Sequence, residues 1–132
     1  AEMLLAVYRQ GVAAVAERVD QRLADASPNP RNRLEAALVG HVEAVLDPSP
    51  YARVIVSVLP NNVPELASEL TAERERYESR WRQLISDLDP PGDPALLRLF
   101  LLGAANATQL WYRPGGATPE EIGRSLAQLV PR

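Results

Sequence analysis

The chain contains no cysteine, no lysine and a single histidine. Without cysteine there is no disulfide framework, no thiol nucleophile and no zinc–thiolate centre, which fits a reducing cytoplasm. One histidine excludes a multi-histidine metal site. No run approaches the roughly 18 apolar residues needed to span a membrane, and no signal peptide is visible. A phosphate loop, a dinucleotide fingerprint and a nucleophile-elbow serine are also missing. Carboxylate pairs do occur at helical spacing, as in Glu43/Asp47 and Glu69/Glu73, but such pairs on helices are ordinarily solvated charges. The expectation is therefore a protein that is not an enzyme, with no catalytic residue, no metal and no cofactor.

The charge balance narrows the partners. All 14 basic residues are arginine, and 17 acidic residues leave a formal net charge of −3. An acidic domain without a basic stripe is a poor stand-alone DNA binder, because phosphate neutralisation supplies most of that affinity. With 132 residues, 46% of them hydrophobic and 23% charged, the composition is that of one ordinary soluble globular domain with a real core.

Proline is what the chain has in abundance. The 12 prolines all fall where a helix can begin or end, and a helix interior tolerates proline at a cost of ~3 kcal/mol or more. The intervals between them give six candidate helices, near residues 1–26, 30–47, 50–59, 64–88, 94–112 and 119–130. The first begins abruptly at Ala1 without a cap, as though the front of the chain were cut. It carries Leu4, Leu5, Tyr8, Val12, Val15, Val19 and Leu23 on one face. The second starts at Asn29-Pro30 and has Leu34, Leu38, His41, Val42, Val45 and Leu46 as its stripe. The third, SPYARVIVSVLP, combines a helix start at Ser49-Pro50 with the β-branched Val54, Ile55, Val56 and Val58, which favour a strand. With no partner strand in sight, a short helix is expected. The fourth holds Leu66, Leu70, Tyr77, Trp81, Leu84, Ile85 and Leu88 in one stripe, opposite a solvated face of alternating glutamate and arginine. The last opens on Thr118-Pro119-Glu120-Glu121, a capping box with proline inside it.

The fifth segment, Asp93 to Gly116, is the one around which the others are expected to be organised. It is apolar almost all round, interrupted only by Arg98, Asn106, Thr108 and Gln109 before Arg113. Such a helix must be covered on every side, part of the cover coming from a second subunit. Leu96, Phe100, Gly103, Ala104, Ala107, Leu110 and Trp111 form its strongly apolar side, which should face the subunit's own core. Arg98, Leu102, Ala105, Gln109 and Tyr112 form a mixed side suited to a twofold interface.

Three polar residues fall inside apolar arcs. His41 is either a core histidine bonded to a backbone carbonyl or a ligand contact. Arg74 needs an anion or a route to water; the anion would be Glu78, four residues on, or an anionic group of a ligand. Asn106 bonds across a helix interface or reads a ligand's polar group.

The opening EMLLAVYRQGVAAVAERVDQRL, the segments SPYARVIVSVLP and ERERYESRWRQLI, and above all LFLLGAANATQLWYRPGGATPEEIGRSLAQLV together resemble TetR-type transcriptional regulators, nearest to the lipid, acyl-CoA and steroid catabolism branch. The resemblance covers nearly the whole chain, and WYRPGG followed by TPEEI is its most specific part. The family's N-terminal helix-turn-helix DNA-binding unit is absent from this chain. The resemblance implies an all-α, six-helix effector-binding and dimerisation domain over residues 1–132. The last two helices would form a four-helix bundle with those of a second copy. A small hydrophobic effector, acyl-CoA or lipid-like, would release operator DNA held by the absent unit of a cytoplasmic repressor. The expected ligand pocket is Tyr8, Val12, Val15, His41, Val45, Tyr51, Ile55, Arg74, Tyr77, Trp81, Phe100 and Asn106. The expected dimer interface is Arg98, Leu102, Ala105, Gln109 and Tyr112 with Ile122, Gly123, Leu126, Ala127 and Val130. The competing reading is a stand-alone helical interaction module with a filled core and no ligand; an enzyme acting in the apolar cavity is the weakest.

Overall fold

The structure is a computed structural model that describes residues 2–131. Among these residues it holds six α-helices and no strand: α1 (Glu2–Asp25), α2 (Pro30–Val45), α3 (Pro50–Ser57), α4 (Ala67–Leu88), α5 (Pro94–Trp111) and α6 (Pro119–Gln128). Two short 3-10 turns, Pro60–Asn62 and Pro64–Leu66, fill the link between α3 and α4. Proline stands at the start of four of the six helices. Asn29, Ser49, Asp93 and Thr118 accept hydrogen bonds from the first free backbone N–H groups, each with proline in the first turn behind it. The capping box is complete at α6: Thr118 Oγ1 accepts from Glu121 N (3.1 Å) and the Glu121 carboxylate accepts from Thr118 N (3.2 Å). The β-branched third segment is a helix, because its backbone finds partners within its own turn and nowhere else.

The central element is α2, not α5. Leu34, Ala37, Leu38, Val39, Gly40, His41, Val42 and Val45 are all buried, since α1 lies along one side of α2 and α6 along the other, with α3, α4 and α5 completing the cover. The α1–α2 seam is closed by a carboxylate expected to be solvated: Glu43 is half-buried and accepts two hydrogen bonds from Arg22 (2.8 and 2.5 Å) and one from Arg18 (3.2 Å). Those arginines hold its carboxyl below the usual range, against the opposing effect of burial. Glu73 is likewise buried, bonded by Arg9 (2.9 Å). Asp47 and Glu69 differ from these two in making no ion pair among the described residues.

Helix α5 lies at the edge, and its two sides are the reverse of the expectation. Leu102 (8% exposed) and Ala105 (0%) are in the subunit's own core. Phe100 is 67% exposed and Leu110 88%, with Leu96, Leu99 and Trp111 also exposed. The reason is three polar residues of α5, each of which has a partner inside the subunit. Arg98 pairs with Glu78, Asn106 accepts from His41 and Gln109 donates to the Val45 carbonyl (2.6 Å).

Helix α6 also turns its expected interface residues inward. Ile122, Gly123, Ala127 and Val130 are buried, and Leu126 packs beside them. The Gly123/Ala127 pair does admit a close helix, but that helix is α2 of the same chain. A Cβ at Gly123 would sit 2.6 Å from Val39 Cα and 2.7 Å from Val39 N. Gly123→Ala should therefore force α6 off α2 and destabilise the domain by about 1–3 kcal/mol, read as a fall in the thermal midpoint. An unchanged midpoint would contradict this packing.

Candidate functional site

The interior between α1, α2, α4 and α5 contains a run of polar groups in apolar surroundings. At its centre is His41, buried on α2. The Tyr77 hydroxyl of α4 donates to His41 Nδ1 (2.5 Å), and His41 Nε2–H donates to Asn106 Oδ1 of α5 (2.7 Å). An amide oxygen only accepts, so the proton sits on Nε2 and Nδ1 is bare. Both ring nitrogens are satisfied with the imidazole neutral. Burial lowers its pKa from 6.5 to about 4, only partly offset by the bond to Asn106. The Tyr77 ring stacks on the imidazole at 5.7 Å, and Trp81 meets the imidazole edge-on at 5.7 Å. Burial raises the Tyr77 phenol well above its ordinary range. His41 is thus a core histidine, but one bonded to side chains rather than to a backbone carbonyl.

A second group lies along the same face of α4. Arg74 does not pair with Glu78. Its Nη2 donates to the carbonyls of Ile55 (2.9 Å) and Val58 (3.4 Å), which closes the C-terminal end of α3. Glu78 instead lies 3.5 Å from Arg98 Nε of α5. Tyr8 of α1, fully buried, brings its hydroxyl beside the Arg74 guanidinium. Four buried polar atoms in this interior, Tyr8 Oη, Arg74 Nε, Trp81 Nε1 and Arg98 Nε, make no hydrogen bond of good geometry among the described residues, although Arg74 lies beside Tyr8, Tyr77 beside Trp81 and Glu78 beside Arg98.

Two openings reach toward these residues. A groove of about 700 Å³ between α1 and α4 has Val12 and Tyr77 in its lining. Three arginines (Arg9, Arg76, Arg80) and three carboxylates (Glu17, Asp20, Glu73) balance its charge, so it has no net attraction for an ion of either sign. A smaller space of about 280 Å³ lies between α1 and α3, beside Val15 and Tyr51. Here Gly11 allows α3 to come close, since a Cβ would stand 2.8 Å from the Tyr51 carbonyl oxygen.

Of the twelve expected pocket residues, Tyr8, Val15, His41, Val45, Tyr77 and Trp81 are buried in the subunit, and Val12, Tyr51, Ile55, Arg74 and Asn106 are half-buried. Phe100 points away from this interior into solvent, a direction set by the inward pull of the polar side of α5. Of the ten expected interface residues, Leu102, Ala105, Ile122, Gly123, Ala127 and Val130 are buried by their own subunit. Arg98, Gln109, Tyr112 and Leu126 are half-buried and engaged within it. Sequence reasoning missed the pairing of Glu78 with Arg98, because the two belong to different helices and no spacing rule connects them. It also missed Gly11, whose position inside an amphipathic helix was the available signal for a close helix contact.

The model for the tetracyclin repressor-like C-terminal domain matches residues 27–132, and the chain belongs to this family. Its members are transcription regulators without enzymatic activity. Among solved structures, superantigen pfit is 25% identical with a TM-score of 0.77, over 98% of this chain and 73% of that one. AibR in complex with isovaleryl coenzyme A and operator DNA is 21% identical with a TM-score of 0.79, over 98% of this chain and 73% of that one. The TetR family transcriptional regulator PfmR from Thermus thermophilus is 20% identical with a TM-score of 0.76, over 97% of this chain and 72% of that one. The likeness to AibR and PfmR is one of fold. No curated protein sequence matches the chain, and no helix among the described residues is long and apolar enough to cross a membrane.

The neutral, buried His41 makes stability depend on acid. Its folded pKa of about 4 lies below the unfolded 6.5, so below pH 6.5 the unfolded chain binds a proton that the folded chain refuses. Stability is full above pH 6.5 and should fall by about 3 kcal/mol as the pH drops toward 4. Urea titrations at stepped pH read this directly. His41→Gln should flatten the dependence across that window, and an unaltered slope in that variant would remove His41 as its source.

Proposed function

We propose that this chain is the effector-sensing and dimerisation domain of a cytoplasmic TetR-type repressor. Its effector is a small, largely apolar molecule, acyl-CoA or lipid-like, held in the interior between α1, α2, α4 and α5. Contact with operator DNA is assigned to a helix-turn-helix unit outside this chain. The observation that carries the reading is the exposed side of α5. Leu96, Leu99, Phe100, Leu110 and Trp111 are each 47–88% exposed in the isolated chain. With Gly103, Ala104 and Ala107 between them they form one continuous apolar stripe along the length of the helix. Monomers rarely leave such a surface in water. A second copy related by a twofold axis would cover it, with the small residues at the centre allowing close approach of the two helices. The exposed Leu129, just after α6, extends the same apolar character.

The mechanism follows from α5 having both sides engaged. Its outer side is the proposed partner face. Its inner side is bonded to the interior through Asn106 to His41, and through Gln109 to the Val45 carbonyl. A ligand that repositions His41, Tyr77 or Asn106 must also shift α5, and with it the spacing of the two subunits. Ligand has this effect only if it binds one spacing better than the other. The isovaleryl coenzyme A complex of AibR, a protein of the same fold, supports an acyl-CoA as one effector class to try first.

Native mass spectrometry at micromolar concentration should show a mass of twice 14.5 kDa. Phe100→Arg, which places a charge in the middle of the stripe, should shift the protein to a monomer with its helical circular dichroism retained. A parent protein that is monomeric would overturn the interface. Thermal melts with acyl-CoA esters, sterol acids and small aromatics should show an upward shift of several degrees for at least one class at ~100 times its Kd. No shift with any of them would favour the alternative of a filled interaction module.

A further inference from the structure

The helices around the interior meet in two different ways. Where α1 meets α2, backbone approaches backbone: a Cβ at Gly40 would stand 3.0 Å from Val19 Cα and 3.1 Å from the Arg18 carbonyl oxygen. Where α1 meets α3, a Cβ at Gly11 would stand 2.8 Å from the Tyr51 carbonyl oxygen. The α1–α4 seam is built otherwise. Ala13, Ala16 and Ala24 of α1 line the groove of about 700 Å³ between the two helices, and a methyl group is too short to cross such a gap. Two ion pairs of long side chains cross it instead. Arg9 Nε lies 2.9 Å from Glu73 Oε1, and Asp20 accepts two hydrogen bonds from Arg80, at 3.0 and 3.2 Å. The two pairs differ in solvation. The Glu73 side chain is 9% exposed and has Arg76 as a second partner at 3.5 Å, whereas Asp20 is 53% and Arg80 33% exposed. Exposed pairs hold weakly, because water and salt screen them.

We propose that the α1–α4 seam is the door through which an effector reaches the interior, with Asp20–Arg80 as its latch and Arg9–Glu73 as its hinge side. The inference rests on the effector-sensing reading and adds the route, which that reading leaves open. Tyr77 is the connection. It lines the groove, and its hydroxyl donates to His41 Nδ1. The Arg80 guanidinium lies over the Tyr77 ring, 5.9 Å from its centre, so the residue that closes the latch also covers the ring. Parting Arg80 from Asp20 loosens that cover and leaves the Tyr77 side chain free to swing away from His41. Behind it stands Trp81, fully buried, its ring edge-on to Tyr77 at 6.4 Å. The balanced charge of the groove suits a passage, because no net charge holds a ligand there. Local openings of this kind fall where few backbone contacts resist them. The competing route is the opening of about 400 Å³ at the α4–α5 turn, whose walls include Ile85 and Arg98 but not Tyr77.

The test is quenching of Trp81 fluorescence by acrylamide, a small neutral molecule, in the full chain. The chain has 2 tryptophans, so Trp111→Phe leaves Trp81 as the reporter. In that background Asp20→Asn should raise the bimolecular quenching constant about twofold to fivefold, the factor that loss of one exposed ion pair allows. Because the chain has no cysteine, Asp20→Cys combined with Arg80→Cys supplies a unique thiol pair. The reduced pair should quench as Asp20→Asn does. Joining it with bismaleimidoethane should return the constant to that of Trp111→Phe or below. Glu78→Gln, which loosens the α4–α5 contact instead, should leave the constant unchanged. Equal quenching before and after cross-linking would overturn the door, and so would a rise in Glu78→Gln as large as that in Asp20→Asn. Acrylamide quenching needs no effector, so a negative result strikes the route alone, whereas a melting screen without any shift strikes the effector-sensing reading.

Discussion

The hydrogen-bonded chain Tyr77–His41–Asn106 is the constraint on which the arrangement of this domain depends. It joins α4, α2 and α5 through one imidazole whose two nitrogens have opposite roles, one accepting and one donating. A neutral imidazole can do both across two helices from a single compact ring. Its burial is tolerated because both nitrogens are satisfied, and protonation would convert the accepting nitrogen into a second donor facing the Tyr77 hydroxyl. The contact therefore sets the rotation of α5 about its own axis. With Asn106 turned inward, Leu102 and Ala105 must follow, and Phe100, Leu110 and Trp111 must face out.

That rotation gives α5 two sides with different tasks. Its inner side is tied to the interior through Arg98, Asn106 and Gln109, each of which contacts a different neighbour. Its outer side is the exposed apolar stripe, the face proposed above for a second copy. Packed helices respond to a perturbation by shifting as units rather than by deforming locally, so the interior and the outer face cannot change independently. The short helix α3 is secured differently, by Arg74 at its C-terminal end and by the close approach at Gly11. It is the shortest α-helix among the described residues and forms one wall beside Tyr8.

The close contacts around α2 explain why this helix, rather than the most hydrophobic one, is central. Its neighbours meet it through small residues on one side, with Gly123 against Val39, and through the Arg22–Glu43 pair on the other. Hydrophobicity alone favoured α5. A helix at a subunit interface needs as much apolar surface as a helix at a core, so total apolarity does not separate the two.

Much of the architecture was legible in the residues. Prolines delimit six helices because each removes a backbone donor and fixes one torsion, and Asn29, Ser49, Asp93 and Thr118 mark helix starts through bonds that form within three residues. These are local effects, and local effects are written in the order of the chain. The burial of the candidate site residues was legible in part for the same reason: Tyr8, His41, Tyr77 and Trp81 stand in the apolar arcs of their helices and are buried, and an arc is a property of one helix. What only the tertiary structure decided is which side of α5 and α6 faces the core, and which partner each interior polar group takes. Asn106 points inward because His41 stands opposite it, and Glu78 meets Arg98 rather than Arg74 because α5 crosses there. Those pairings join residues on different helices, and nothing in the spacing along a single helix encodes them.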